Sequence, residues 1–150
     1  MSYAQIRAAI KSVMESVPGV GAVYDYLRWT ADPATYEALF VSGGHVRFWT
    51  ISRASVDDAR RYTEQVDEVH TVVLRGYLGL DDASASEKTF QDLVDSVRAA
   101  LRENYTLGGA AWNSGPEMHT AVEHRQFGDV LCHYCEITFP VRERKDRLGG

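Results

Sequence analysis

The segment at residues 68–80 constrains the fold most strongly, because apolar side chains recur on both sides of a predicted β-strand. In an extended chain Val73 and Tyr77 fall on one face, whereas Val72 and Leu74 fall on the other. A strand that is apolar on both faces is usually central, or is covered on its second face by a helix or another subunit. We therefore expect residues 68–80 to be buried from both sides.

Two other segments show the periodicity of amphipathic helices. Residues 3–16 and residues 85–103 both repeat apolar side chains at intervals of three and four, which places them on one stripe. Each segment follows a potential capping box, Ser2 with Gln5 and Ser84 with Glu87. Both segments are predicted to be helices that need a common apolar surface.

Shorter patterns complete the predicted order of elements. Residues 20–29 and 46–52 indicate strands, and residues 122–127 and 130–141 indicate a hairpin that turns at Gly128-Asp129. Three segments are less regular. Residues 36–41 fit a helical turn or a strand, residues 57–65 a short exposed helix or an ordered loop, and residues 106–119 a long loop.

This order lacks the βα alternation of a doubly wound parallel sheet and predicts an α+β fold. We expect a largely antiparallel or mixed sheet of four to five strands, two main helices on one face, and a C-terminal β-hairpin. The 150 residues correspond to one domain at residues 1–144, with a flexible tail at residues 145–150. The longest apolar run has four residues, against ~20 for a membrane-spanning helix, so no membrane partner is expected.

Charge is unevenly distributed along the chain. The net charge of −5 argues against binding nucleic acid through a general basic surface. Residues 57–95 carry a local charge of −6, whereas residues 142–147 carry +2. These regions are either two solvated surfaces or complementary surfaces on neighbouring copies of the chain.

Cys132 and Cys135 are the strongest candidates for metal ligands, but the geometry of a strand argues against a shared metal ion. Residues three apart on a strand point to opposite faces, so the two thiols reach neither one ion nor each other. We predict two buried free cysteines and no metal or other cofactor. In the predicted hairpin, His124 and His133 become cross-strand neighbours, typical of a polar surface pair.

The remaining motifs do not indicate an enzyme, since nucleotide-binding glycine patterns and nucleophile elbows are missing from the sequence. Asp81 and Asp82 could bind a hard cation, although acids are also favoured before a helix N-terminus. Trp49 and Phe48 alternate on a strand, so they point to opposite faces. One of them would be exposed or covered by a partner if these aromatics serve an interface, but burial in the core is the favoured prediction.

The order of these elements resembles the tail terminator and head-to-tail joining proteins of long-tailed bacteriophages and prophages. The resemblance is carried by the first helix, by residues 23–26 and 45–49, by the strand and helix spanning residues 70–101, and by the closing segment at residues 127–137. It covers most of the chain and rests on order, length and pattern.

The resemblance implies a structural, non-catalytic protein of the virion tail or neck, assembled in the host cytoplasm. Such proteins form rings, typically of six subunits, that cap the tail tube and contact the head connector, while DNA passes through without specific binding. A head-side neck adaptor and a tail-tube subunit remain alternatives. The candidate interface residues are Trp49, Asp81, Asp82, Trp112, Arg142, Arg144 and Lys145.

A small enzyme or ligand-binding domain is the competing class. Its pocket would lie between a helix and the sheet and would be lined by Tyr24, Tyr26, His133 and Tyr134. A function of this kind must be argued from a site, and the sequence shows no catalytic spacing among these residues.

Overall fold

The computed structural model describes residues 2–60 and 64–146, which form an α+β fold with three α-helices and seven strands. The helices are α1 (Tyr3–Glu15), α2 (Pro33–Phe40) and α3 (Ser86–Glu103). The strands are β1 (Ala22–Tyr24), β2 (Val41–Ser42), β3 (His45–Arg60), β4 (Gln65–Gly79), β5 (Asn113–Ser114), β6 (His119–Phe127) and β7 (Val130–Asp146). No helix within the described ranges is long and apolar enough to cross a membrane.

The strands form one mixed sheet in the order β1-β3-β4-β7-β5, with β2 paired to β3 and β6 paired to β7. Strand β1 runs parallel to β3, and the other pairs are antiparallel. Strand β4 lies in the centre, as its two apolar faces predict. The described sheet is larger than the expected four to five strands because β2 and β5, of two residues each, pair along its margins.

The two faces of the sheet carry separate apolar clusters. Helices α1 and α3 cover the first face with Ile6, Ile10 and Phe90, which pack against sheet residues such as Leu74. Helix α2 covers the second face, where Phe40 contacts the Phe48 ring with centroids 4.5 Å apart. The two main helices therefore share one face as predicted, and a third helix, in the segment that the sequence left undecided, covers the other.

Two sequence-based predictions about strands are wrong. A strand was expected at residues 20–29, but the strand in the structure, β1, has only three residues. Residues 57–60 belong to β3 and residue 65 to β4, whereas a short helix or loop was expected there; residues 61–63 lie outside the described part. The reason is strand pairing: β3 and β4 form a long antiparallel ladder. The ladder gives the backbone N–H and C=O groups hydrogen-bond partners even where the side chains are polar.

Helix α3 begins without the predicted capping box. Its N-cap is Ala85, in the left-handed region with φ +54°, and no side chain caps it. The Ser84 hydroxyl instead donates to an Asp81 carboxylate oxygen at 2.7 Å. By contrast, Ser2 does cap α1, accepting a hydrogen bond from the Gln5 amide at 3.4 Å.

The C-terminal hairpin is present and longer than predicted. Phe127 pairs with Val130 across a two-residue turn in which Gly128 has φ +61°, the left-handed region that glycine adopts without steric cost. Strand β7 continues to Asp146, so the predicted boundary before the tail falls inside the strand. The last part of the predicted tail, residues 147–150, lies outside the described residues.

The contact between Trp49 and Gly76 generates a stability prediction. These residues pair across β3 and β4, and a Cβ added to Gly76 would lie 2.6 Å from the Trp49 indole. Gly76→Ala should lower the free energy of unfolding by about 1–3 kcal/mol in urea denaturation, because overpacking forces the ring or the strand to move. Gly79→Ala is the matched control; its nearest neighbour would be 3.3 Å away, so a smaller loss is expected.

Candidate functional site

A cluster of charged and polar side chains lies where β3, β4 and β7 run side by side, and His70 and Glu143 are its buried members. We define it as Arg53, Glu68, His70, Glu143 and Lys145. His70 Nε2 lies 2.8 Å from a Glu143 carboxylate oxygen, and Arg53 lies 3.2 Å from His70 Nδ1. The Lys145 ammonium lies 2.9 Å from Glu68 and 3.6 Å from Glu143. The Lys145 ammonium therefore faces two carboxylates of opposite charge.

The hydrogen bonds indicate which ring nitrogen of His70 donates and which accepts. Arginine can only donate, so His70 Nδ1 accepts from Arg53, and its Nε2–H donates to Glu143. A neutral imidazole satisfies both contacts. The Lys145 ammonium that bonds to Glu68 lowers the pKa of that carboxyl, and the same contact raises the pKa of Lys145.

The cluster includes a set of donors that could in principle ligate a metal ion. One ligand atom from each of Glu68, His70 and Glu143 lies within 4.8 Å of the others, and imidazole with carboxylates suits zinc. However, Lys145 contacts both carboxylates and already supplies the compensating positive charge. The arrangement therefore works as an internal ion-pair network that ties β7 to β4.

The predicted basic interface residues Arg142 and Arg144 contact residues of their own chain. Arg144 lies 3.1 Å from Asp67 and stacks over the Trp112 ring, with 4.1 Å from its guanidinium carbon to the ring centroid. Arg142 donates to the Gly115 carbonyl at 2.8 Å. The acidic middle and the basic end thus complement each other within one chain, across β4 and β7. Arg142, Arg144 and Lys145 have partners within their own chain, and their role in an interface stays a prediction.

The other predicted interface residues are dispersed. Trp49 is fully buried in the first-face cluster and Phe48 in the second-face cluster, so the favoured prediction of burial in the core is confirmed and exposure of one of them is wrong. Both rings are buried because α1 and α3 cover the first face of the sheet and α2 covers the second. Asp81 and Asp82 lie beyond the C-terminal end of β4, whereas Arg142 pairs with Val69 near its beginning. The seven predicted residues therefore do not form one site.

A second polar contact lies at the start of α3. His124 and His133 are cross-strand partners with ring centroids 5.2 Å apart, as the sequence predicts. The Ser86 hydroxyl lies 2.8 Å from His133 Nε2 and accepts a hydrogen bond from the Asp81 amide. Burial, and then His124, lowers the pKa of His133. Sequence reasoning missed Ser86, because the contact joins residues far apart in the chain.

The geometry does not support the alternative pocket. His133 packs on the first face against Phe90, with ring centroids 5.7 Å apart, whereas Tyr134 contacts Tyr77 on the second face. Adjacent strand residues point to opposite faces, so His133 and Tyr134 cannot line one pocket. Tyr26 is half-exposed, and Tyr24 donates its hydroxyl hydrogen to the Leu39 carbonyl.

The cysteines have the geometry that the sequence predicts. Cys132 lies in the second-face cluster and Cys135 in the first-face cluster, and both thiols are free and buried. Burial raises the pKa of Cys132 to about 11 and that of Cys135 to about 12. Neither thiol is therefore a reactive nucleophile at neutral pH.

Two different strand edges are open. Strand β6 pairs with β7 on one side, and no strand of residues 2–60 or 64–146 pairs with its other side. On the opposite margin, β1 and β2 pair with β3 only as far as Thr50. Residues 51–60 of β3 have no outer partner among the described strands. Open edges present unpaired backbone donors and acceptors to other chains.

An exposed loop with apolar side chains adjoins a surface cavity. Tyr26, Leu27 and Trp29 are each more than half exposed. The cavity, of about 480 Å³, is lined by Trp29, Pro33, Tyr36, Val130 and neighbouring residues. Aromatic side chains grouped at a surface are typical of protein–protein contacts.

The comparisons with known proteins assign no family. The chain matches no protein-family model, and no curated protein is significantly similar to it in sequence.

The buried thiols lead to a reactivity prediction. Because thiolate is the reactive form, raised pKa values keep both cysteines protonated at pH 8. The folded protein should therefore react only slowly with a thiol-specific disulfide reagent, and both cysteines should react at once in denaturant. Fast reaction of the native protein would contradict the buried positions.

The charged cluster leads to a stability prediction. Glu143→Gln leaves the volume unchanged but removes the buried negative charge opposite His70 and Lys145. It should lower the free energy of unfolding by about 1.5–3 kcal/mol in urea denaturation, since the hydrogen bond from His70 to the buried carboxylate loses its charged acceptor. Glu117→Gln, at the exposed ion pair with Arg142, should cost less than about 1 kcal/mol. Equal effects would show that the cluster adds no more than a surface pair.

Proposed function

We propose that this protein is a ring-forming structural subunit of a long-tailed phage, a tail terminator that caps the tail tube and joins it to the head connector. The observation that carries the proposal is the pair of unlike open edges, β6 and residues 51–60 of β3, on opposite margins of one sheet. Each copy can thus offer one edge and accept the other.

Unlike edges favour a ring over a two-fold dimer. A contact between two different surfaces is heterologous, and repeated heterologous contacts close into a ring when the rotation between copies allows it. The number six comes from the resemblance to tail terminators. A head-side neck adaptor and a tail-tube subunit would use the same edges, so the virion partner distinguishes these alternatives.

The ladder of β7 indicates which backbone groups of β6 are available. The Leu80 amide donates to the Leu131 carbonyl, so Leu131 directs its backbone towards β4. Its partner Gln126 therefore directs its own N–H and C=O away from β7. Alternate residues of an antiparallel strand direct their backbone groups to the same side, so Val122, four residues before Gln126, also directs its N–H and C=O away from β7. These groups are the ones that a neighbouring copy would bind.

Charge and apolar surface fit the other partners of such a ring. The net charge of −5 would limit adhesion of DNA that passes through the ring. The exposed loop with Tyr26, Leu27 and Trp29 offers an apolar contact for the tail-tube protein or the head connector. A virion protein of this kind works by assembly and not by catalysis.

We expect the purified protein at high concentration, alone or with tail tubes, to give annular particles in negative-stain images. Val122→Pro should abolish them, because it removes an outward N–H at a position where an edge strand tolerates proline. Val122→Thr keeps the N–H and should leave assembly unchanged. Light scattering after size-exclusion chromatography measures the mass of each species, and circular dichroism confirms that the variants fold.

A wild-type chain that stays monomeric at every concentration, with and without tail tubes, would contradict the proposed function. Particles that persist in Val122→Pro would show that β6 is not part of the ring contact.

A further inference from the structure

The surface cavity beside the exposed loop is lined by aromatic and acidic side chains. Its volume is about 480 Å³, and Trp29 and Tyr36 form part of its wall. The charged residues that line it, within the described part of the chain, are Glu37 and Asp129. Both acids are exposed to solvent. Aromatic faces and carboxylates both attract cations, so this lining is complementary to a positively charged group.

Tyr36 joins the two elements that carry these acids. Its hydroxyl donates to the Phe127 carbonyl at 2.9 Å, and its ring stacks on the Phe127 ring with centroids 5.5 Å apart. A Cβ added to Gly128 would lie 3.2 Å from the Tyr36 ring, so the hairpin turn packs closely against α2. Glu37 on α2 and Asp129 in the turn are therefore positioned at one cavity before any partner binds, which lowers the cost of binding.

The two carboxylates have no cationic partner of their own. In the part of the chain that the structure describes, neither Glu37 nor Asp129 forms an ion pair. Burial, and then electrostatic interaction with Cys132 and Asp129, raises the pKa of Tyr36. The negative charge of Asp129 therefore acts on the wall of the cavity.

The basic residue of the exposed loop points elsewhere. The guanidinium carbon of Arg28 lies 4.8 Å from the Tyr24 ring centroid and 5.1 Å from that of Tyr26, and Arg28 does not line the cavity. The adjacent Trp29 is 67% exposed. Tryptophan is the aromatic residue that binds cations best, so its ring can receive a cation from another molecule.

Arginine fits these features better than lysine does. A planar guanidinium can stack on an aromatic face and donate two hydrogen bonds to a carboxylate, whereas the lysine ammonium is a compact and strongly hydrated charge. The apolar stem of an arginine would contact Val41 and Val130, which also line the cavity. Arginine is also enriched in protein–protein contacts, as are aromatic residues such as those of the exposed loop.

We infer that this cavity binds an arginine side chain of a protein partner, with Trp29 as the stacking surface and Glu37 and Asp129 as hydrogen-bond acceptors. The inference deepens the proposed function and rests on it for the identity of the partner, the tail-tube protein or the head connector. Recognition of the arginine itself requires only one subunit.

Titration of the full chain with N-acetylarginine amide tests this recognition. The indole N–H signal of Trp29 in NMR spectra, assigned by its loss in Trp29→Phe, should shift saturably. N-acetylcitrulline amide has nearly the same shape without the charge and should bind about fivefold more weakly or worse, since it forms no ion pair. N-acetyllysine amide should also bind more weakly than the arginine compound.

Three results of this titration would overturn the inference. An unchanged Trp29 signal would show that the cavity does not bind arginine. Equal affinity for the citrulline compound would show that the charge is not recognised, and equal or higher affinity for the lysine compound would contradict the choice of arginine.

Removal of the two carboxylates tests their role. Glu37→Gln with Asp129→Asn preserves side-chain size, and asparagine suits the turn as well as aspartate does. The affinity for N-acetylarginine amide should fall about fivefold or more, because two ion pairs are lost. The control variant, Asp95→Asn with Glu103→Gln, removes two exposed acids from α3 on the other face of the sheet and should bind like the wild type. Equal affinities of the two variants would contradict the assigned acceptors.

Assembly assays separate this inference from the proposed function. The variant that combines Glu37→Gln with Asp129→Asn should still form rings, but it should attach more weakly to tail tubes or to head connectors. Wild-type attachment of this variant to both would overturn the inference and leave the ring intact. A wild-type chain that never forms rings would contradict the proposed function, whereas the titration would still decide whether the cavity binds arginine.

Discussion

The ladder between β4 and β7 is the interaction on which the rest of the structure depends. All 15 residues of β4 have partners in β7, from Gln65 with Asp146 to Gly79 with Cys132. This ladder holds the centre of the sheet rigid and presents one apolar surface to α1 and α3 and another to α2. Without it, neither helical layer would have a surface to cover.

The same ladder explains the location of the charges. It places the acidic start of β4 beside the basic end of β7, where Asp67 meets Arg144 and Glu68 meets Lys145. Charges that are far apart in sequence therefore neutralise each other within the chain.

Helices cover an apolar cluster on each face of the sheet, whereas two margins of the sheet stay open among the described residues. Helices cover the apolar faces, but they leave the backbone of β6 and of the outer half of β3 without a partner among the described residues. Exposed edges are commonly blocked in monomeric proteins, since they promote association. The proposed assembly of this protein through its strand edges depends on these open backbone groups.

Local patterns in the sequence determined the α+β class, the two amphipathic helices and the terminal hairpin, because periodicity and turn chemistry act within short segments. The same patterns determined that His124 pairs with His133 and that the two cysteines lie on opposite faces of the sheet. Only the tertiary structure decided that Trp49 is buried, that Ser86 meets His133, and that the basic end binds the acidic middle. These outcomes depend on which strands become neighbours. Strand pairing joins residues that are distant along the chain, and local sequence carries little record of that choice.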